Sequence, residues 1–312
     1  MTKLQSVNKN GLTEEQFLSQ YNDNKYKKPS VTTDMVIFTI GEEEVDNCRK
    51  LPEQKLKVLM IKRGDFPFIN KWALPGGFVN MNESLDESAY RELKEETNLE
   101  NIYMEQLYTW GDIGRDPRTR VISTSYLALV NRDKLKTIQA GDDAIDAQWF
   151  TVDAKIINET KQLNIDDKGV DQGGTRYIRT IQLILTSKEC ELEHTIKIFT
   201  LVKHGVVKTW FGDCNSGDIA FDHAKILYYS LLRLRGKAEY TSIVFNLMPE
   251  MFTLTELQQA YEIILGKELL AANFRRKIAD MVVVTKHQRK DKGHRPSQLF
   301  RFNEKWIERN LF

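Results

Sequence analysis

Residues 77–99 read GFVNMNESLDESAYRELKEETNL, and the acidic side chains in the second half of this stretch have a spacing with chemical consequences. Between Ser84 and Thr97 the apolar positions Leu85, Ala89, Tyr90 and Leu93 recur at helical intervals, and Asp86 and Glu87 fall in the first turn, where negative charge suits the helix dipole. The spacing predicts a helix. On it Glu92, Glu95 and Glu96 stand at i, i+3 and i+4, so their carboxylates converge on one face, and Arg91, one turn before Glu95, is placed to orient it. Clustered anions repel one another unless something cationic sits among them. Hard oxygen ligands suit Mg2+ or Mn2+, and such a metal bridges phosphate oxygens and activates water for attack on a pyrophosphate. Gly76 and Gly77, after Pro75, let backbone approach metal and phosphates closely. A solvated acidic face alone would not require that Gly-Gly turn or the arginine at this distance.

A second chemical segment is the loop GDIGRDPRTR at residues 111–120. Arg115, Arg118 and Arg120 offer forked donors to phosphates or to a carboxylate within a site, and Asp112 and Asp116 are the alternative partners at a hairpin tip.

The third lies near the C-terminus. Thr253 and Glu256 form a capping-box signature before ELQQAYEIIL, Gly266 ends that helix, and a second start at Asn273 opens NFRRKIADMV with Arg275, Arg276 and Lys277 in its first turn. An apolar strand, a basic loop with Gly293 and Pro296, and a strand ending at Phe302 follow, which is the outline of a winged helix. Arg275, Arg276 and Lys277 on the second helix, with Arg289, Lys290, Lys292 and Arg295 on the wing, are candidates to neutralise DNA phosphates.

The elements that position these groups follow from the remaining pattern. Residues 1–30 form a polar arm with one short helix near residues 13–21. Strands VTTDMVIFTI, KLKVLMIKR and WALPGGFV precede the acidic helix, and IYMEQLYTW and VISTSYLALV flank the arginine loop. Strand, loop, strand and helix in this order predict an α/β (α+β) domain over residues 31–152, a mixed sheet between helices. Residues 153–238 read as a strand-rich extension, suited to extend the sheet or pair two subunits, and a linking helix from about Asp222 to Arg235; residues 239–312 form the winged helix. Asp222 and His223 are expected to serve as an N-cap and a neighbouring polar residue rather than as a catalytic pair. Asp142 and Asp143, after a glycine, are weak candidates for a general base.

Composition narrows the class further. With 312 residues, 41% hydrophobic and 29% charged, the chain is long enough for two domains with cores of their own. No apolar run of membrane-spanning length and no secretory leader are present, so a cytoplasmic protein is expected. Cys48, Cys190 and Cys214 form no disulfide framework, and Cys190, His194, His204 and Cys214 match no common zinc spacing. Net charge is only +1, yet residues 273–301 carry nine basic side chains against Asp280 and Asp291, a balance of +7 that leaves the remainder about 6 units negative.

Residues 77–99 also fit G-x5-E-x7-R-E-U-x-E-E-x-G-U, with U aliphatic, at Gly77, Glu83, Arg91, Glu92, Leu93, Glu95, Glu96 and Leu99. That pattern resembles the Nudix box, and only Asn98 departs, standing where the family has glycine just past the helix; asparagine is the usual second choice for a left-handed residue there. The loop at residues 111–120 is similar to that of ADP-ribose pyrophosphatases and related regulators. With the C-terminal segment, the chain resembles Nudix-related transcriptional regulators, typified by regulators of NAD metabolism, over about residues 31–152 and 222–302. The resemblance implies a Nudix fold binding ADP-ribose or a related nucleotide or sugar effector, a winged helix binding operator DNA, and a homodimer. It assigns Glu83, Arg91, Glu92, Glu95 and Glu96 to the catalytic box, Glu92, Glu95, Glu96 and Gly76 to the metal, and Gly77, Arg115, Asp116, Arg118 and Arg120 to the ligand. The alternative is an Mg2+-dependent hydrolase that splits ADP-ribose into AMP and ribose 5-phosphate.

Overall fold

The computed structural model describes residues 6–22, 25–42, 53–131, 144–166, 168–212, 217–290 and 296–310. The elements in chain order are α1 (Glu14–Ser19), β1 (Ser30–Glu42), β2 (Gln54–Arg63), β3 (Trp72–Ala73), β4 (Gly76–Phe78), α2 (Leu85–Thr97), β5 (Tyr103–Trp110) and β6 (Val121–Leu129). The sheet extension comprises β7 (Ala144–Ile165), β8 (Asp171–Thr186), β9 (Glu191–Lys203) and β10 (Val206–Phe211). Then follow α3 (His223–Tyr240), α4 (Leu254–Leu265), α5 (Ala271–Ile278), β11 (Val282–Arg289), β12 (Ser297–Phe302) and α6 (Glu304–Asn310).

One mixed sheet runs β10-β9-β8-β7-β2-β1-β6-β5, with β3 on β2 and β4 on β1. β1 and β6 pair in parallel and the other named pairs are antiparallel. The near-continuous apolar run of β1 follows from burial on both faces. Met35 and Ile37 meet Ala89 and Leu93 of α2 on one face, while Val36 and Phe38 join Ala224, Leu227 and Leu231 of α3 on the other. The helix expected to link domains is therefore also the second outer layer of the Nudix sandwich.

The expected domain edge at residue 152 falls inside β7, which continues to Ile165 without a break. Beyond Val152 this strand pairs with β8 and leaves Ile156, Ile157 and Leu163 exposed, so burial falls off along the strand while its pairing continues. A single buried cluster joins the sheet, α3, the 3-10 turn at Ile243–Leu247, α4 and α5.

In the C-terminal unit, Thr253 and Glu256 form the expected capping box on α4, and Gly266 closes that helix in the left-handed region at φ 66°. The second helix differs from expectation. It starts after Leu270, which makes no side-chain cap, and ends at Ile278, so Arg275, Arg276 and Lys277 occupy its last turn. Cationic side chains are better placed there with respect to the helix dipole. β11 and β12 pair antiparallel as the wing strands.

Candidate functional site

The box helix is fixed at both ends. Ser84 Oγ accepts the Glu87 N–H at 3.2 Å while the Glu87 carboxylate accepts the Ser84 N–H at 2.7 Å, a reciprocal cap that contributes about 1 kcal/mol. At the other end Asn98 takes the left-handed conformation (φ 54°, ψ 28°) and its N–H donates to the Lys94 carbonyl, so asparagine fills the glycine position without breaking the helix stop.

Arg91 stands between the box carboxylates, but its chief partner is Glu83 rather than Glu95. Nε and Nη2 fork onto Glu83 at 3.1 and 2.8 Å, Nη1 donates to Glu92 at 2.7 Å, and Glu95 is reached only at 3.4 Å. Glu83 wins because it is already held in place, accepting the Asn80 N–H at 2.8 Å, whereas Glu95 is half-exposed. Hydrogen bonds from Arg91 and then Asn80 pull the Glu83 carboxyl down to about 2. Glu92 and Glu96 are each 7% exposed, and burial pushes the Glu92 carboxyl up despite Arg91 beside it. A Cβ on Gly77 would lie 2.3 Å from Glu92 Oε1, and one on Gly76 would lie 2.2 Å from the Thr33 carbonyl, so only glycine lets β4 pass here.

A cavity of 360 Å³ is lined by Gly76, Gly77, Arg91, Glu92, Glu95 and Glu96, and on the facing side by Arg115, Asp116 and Arg118. The structure thus gathers the box and most of the arginine loop at one place. Glu83 stays outside that lining, behind Arg91. Arg120 also stands apart, donating to the Gly111 and Asp112 carbonyls at 2.7 and 3.1 Å. Among the described residues no three acidic, histidine or cysteine side chains converge as a ready metal-ligand set. The cation between Glu92 and Glu95 is Arg91 itself. In donor type the site fits a hard divalent ion, since its acceptors are carboxylates and a buried carboxylate raised by burial is stabilised by a cation.

The three arginines of the loop divide. Arg118 forks onto Asp116, with Nη2 at 2.7 Å, and lies over the Phe78 ring at 5.4 Å, with its side chain 43% exposed toward the cavity mouth. Arg115 is buried, and its Nη2 and Nε donate to Asp222 at 2.7 and 3.0 Å while Nη2 also reaches Asp34 at 3.2 Å. Asp34 in turn accepts the Ser123 hydroxyl at 2.5 Å. His223 completes this cluster. Its Nδ1 accepts the Leu74 N–H at 2.8 Å, which places the ring proton on Nε2, 3.6 Å from Asp34 Oδ1. Burial lowers the His223 pKa, against the pull of Asp34 and Asp222, which favours the neutral ring.

One sequence expectation changes here, and one residue is added. Asp222 sits at the N-cap position of α3 but its side chain accepts no helix N–H; its carboxylate is committed to Arg115. Asp34, in the strand VTTDMVIFTI, was not singled out: one aspartate in an apolar strand carries no spacing signal, although a charge within a central strand is costly enough to suggest a partner. Asp142 and Asp143 lie outside the described residues, as do Cys48 and Cys214.

On the winged helix, Arg275 and Arg276 are exposed on α5 and Lys290 is exposed at the end of the wing strand. Lys277 is exposed as well, but its Nζ is engaged, 3.5 Å from the Ala238 carbonyl and 5.3 Å from the Tyr261 ring centroid. Arg289 pairs with Glu256 at 2.5 Å. Lys292 and Arg295 lie outside the described residues. No helix among the described residues is long and apolar enough to cross a membrane.

Sheet order, box helix and cavity define a Nudix fold, and the C-terminal unit defines a winged helix. The NUDIX domain model matches residues 47–171, and the NrtR DNA-binding winged helix domain model matches residues 244–302. The ADPR responsive transcriptional repressor NtrR of Acinetobacter baylyi is 31% identical over 301 residues, covering 95% of this chain and 91% of that protein. An ADP-ribose pyrophosphatase of Methanocaldococcus jannaschii is 39% identical over 125 residues, 40% of this chain and 63% of that one. Among solved structures, a MutT/nudix family protein from Enterococcus faecalis superposes with a TM-score of 0.63 at 27% identity over 94% of both chains. NrtR of Shewanella oneidensis, solved with a 27mer DNA, superposes with a TM-score of 0.52 at 26% identity, covering 88% of this chain and 93% of that one. The chain belongs to the NrtR-type family of Nudix-related transcriptional regulators.

Proposed function

We propose that this protein is a transcriptional regulator that binds ADP-ribose or a related nucleotide or sugar in the Nudix cavity and operator DNA through its winged helix. The observation that carries this reading is the presence, on one continuous core, of a nucleotide-sized cavity lined by the box and a helix-and-wing unit whose exposed arginines face water. A basic winged helix has no use in hydrolysis. Arg118, at the cavity mouth, would take the diphosphate, with Asp116 beside it and Gly77 across the cavity. Arg275, Arg276 and Lys290 are the described side chains best placed for DNA phosphates. Exposed Val206 and Val207 on the edge strand β10 support assembly as a homodimer, which would suit a two-fold operator. A gel shift on the DNA upstream of the protein's own operon tests this; the expected complex weakens with salt and responds to ADP-ribose, and a protein that binds no such DNA would refute it.

A second activity is compatible with the same cavity. All the box carboxylates and Arg91 are retained, and a pyrophosphatase is 39% identical over 125 residues of this chain. Nudix proteins in general use a divalent metal; here Glu92, Glu95, Glu96 and the Gly76 carbonyl would hold Mg2+ or Mn2+, which when bound neutralises the diphosphate and acidifies water. Hydrolysis of ADP-ribose to AMP and ribose 5-phosphate is followed by phosphate-coupled turnover, and activity unchanged in Glu95→Gln would remove that residue from the site.

A further inference from the structure

The head of α3 is built into the wall of the Nudix cavity, although it lies well past the segment that the Nudix family model matches. Phe221 and His223 line the cavity, Asp222 clamps Arg115, and His223 fixes the N–H of Leu74, two residues before Gly76. The approach to the helix is pinned as well: the Trp72 N–H donates to the Asp218 carbonyl at 2.8 Å and the Ala220 N–H to the Trp72 carbonyl at 2.7 Å. At its other end the same helix is tied to the winged helix. Arg235 Nε donates to the Ile264 carbonyl of α4 at 3.0 Å, and Leu231, Leu234 and Ala238 share a buried core with α4. An uninterrupted helix of 18 residues is a stiff rod about 27 Å long. Next to it, a groove of 1050 Å³ opens between Leu56, Val152 and Ile184 of the sheet and Gln259 and Ile263 of α4, which leaves α4 room to shift against the sheet.

We propose that Asp222 and His223 are positioning residues of the Nudix cavity and that α3 reports ligand binding there to the winged helix, with Arg115 as the group that changes partners. The inference rests on the reading of the chain as an effector-responsive regulator. Arg115 has one guanidinium and two aspartates competing for it. Phosphate oxygens entering beside it compete for the same N–H groups, and each bond they take is one Asp222 loses. Asp222 leads directly into α3, so loosening the clamp frees the head of a rod whose tail holds α4. Two sites are coupled only if the ligand favours one of two arrangements, and a clamp that is either made or broken supplies such a pair.

The test uses the full-length protein, ADP-ribose, and the DNA upstream of its own operon. DNA affinity is measured with and without ADP-ribose at saturation, saturation being set for each protein by calorimetry, and melting curves verify folding. The wild type is expected to change its DNA affinity by about fivefold or more on adding ADP-ribose. Asp222→Asn, which keeps the shape but loses the charge, and Arg235→Gln, which leaves the cavity intact but removes the guanidinium hydrogen bond to α4, are both expected to bring that ratio to within about twofold of one. An unchanged ratio in either folded variant overturns the inference, and if Asp222→Asn does not fold, Arg235→Gln decides alone. A wild type whose DNA binding ignores ADP-ribose overturns this inference alone, whereas one that binds none of that DNA overturns the functional reading, and this inference with it.

Discussion

Arginine does opposite work at the two ends of this molecule. At the cavity wall Arg115 is 5% exposed in its side chain and is held by Asp222 and Asp34. On α5, Arg275 and Arg276 stand in water, and Arg276 Nη2 donates to the neighbouring Asn273 side chain at 3.1 Å. A buried guanidinium is part of the framework, because its desolvation must be offset by fixed carboxylates; an exposed one is available to any polyanion. Composition alone would count all three as positive charge available to phosphate. Their surroundings divide them into one that shapes a site and two that can bind at one.

The largest test of this contrast is Arg115→Ala. Removing one partner from a buried ion cluster leaves Asp34 and Asp222 uncompensated, and a loss of about 3–5 kcal/mol in unfolding free energy is expected from denaturant melts. The same change at Arg275 is expected to move stability by less than about 0.5 kcal/mol. Equal losses at the two positions would end the distinction between framework and contact.

The two buried histidines sharpen it. His223 has partners on both ring nitrogens' sides, Leu74 and Asp34, whereas neither nitrogen of His194 has a hydrogen-bond partner among the described residues. Burial lowers the pKa of both, with Lys71 adding to the effect on His194 and Arg115 and Arg63 to that on His223. Above the ordinary imidazole value of 6.5 both states are neutral and nothing is lost. Below it the unfolded chain takes up a proton that the native ring refuses, so each histidine lowers stability by up to about 1.4 kcal/mol per pH unit until its folded pKa is passed. Glu92, raised by burial, works in the opposite sense as the pH falls through its folded pKa, so the comparison must be made between variants. His194→Leu is expected to stabilise the protein by about 1–3 kcal/mol, and by more at pH 5.5 than at pH 7.5, the pH values being about one unit below and above the ordinary imidazole range. A destabilised His194→Leu would mean that the ring is satisfied after all.

What the sequence made legible follows the same division. The box could be read because its glutamates and arginine lie on one helix, where spacing alone sets the geometry. Arg115 could be picked out, but not its partners, which come from positions 81 and 107 residues away on β1 and before α3. No local pattern announces such a meeting. The start of α5 was misplaced for a related reason: Asn273 is a favoured cap, while the true start at Leu270 has no side-chain cap to read. The continuation of β7 past Val152 was hidden because both faces of its outer half lie near solvent, so the alternation that marks a half-buried strand is weak.

On the DNA side the comparison becomes one between neighbours. Arg275→Ala and Arg276→Ala together are expected to leave melting unchanged and to reduce the salt slope of DNA binding by about 1.8, roughly 0.9 for each phosphate contact. Lys277→Ala should do the reverse. Its ammonium is engaged by Tyr261 and the Ala238 carbonyl, and partial desolvation lowers its pKa although the residue as a whole is exposed, so its loss is expected to appear in melting curves rather than in the salt slope. A salt slope that drops by the same amount for Lys277→Ala would place that side chain on DNA.

The smallest effect is expected at Glu256, where framework and contact overlap in one ion pair. Its carboxylate caps α4 by accepting the Thr253 N–H at 2.7 Å and also takes Arg289 at 2.5 Å, with the two side chains 36% and 39% exposed. Exposed pairs of this kind contribute about 0.2–1 kcal/mol, and glutamine can still accept from Thr253, so Glu256→Gln should cost no more than about 1 kcal/mol in a melt. DNA affinity is expected to move the other way. Arg289 sits at the end of β11, where the wing begins, and Glu256 is an anion that holds its guanidinium against α4. Removing that anion frees a cation for phosphate and deletes a nearby repulsion, so binding should tighten and the salt slope rise by up to about 0.9. Weaker binding by a well-folded Glu256→Gln protein would show that Arg289 serves DNA recognition through its tie to α4, as a positioned side chain rather than a free charge.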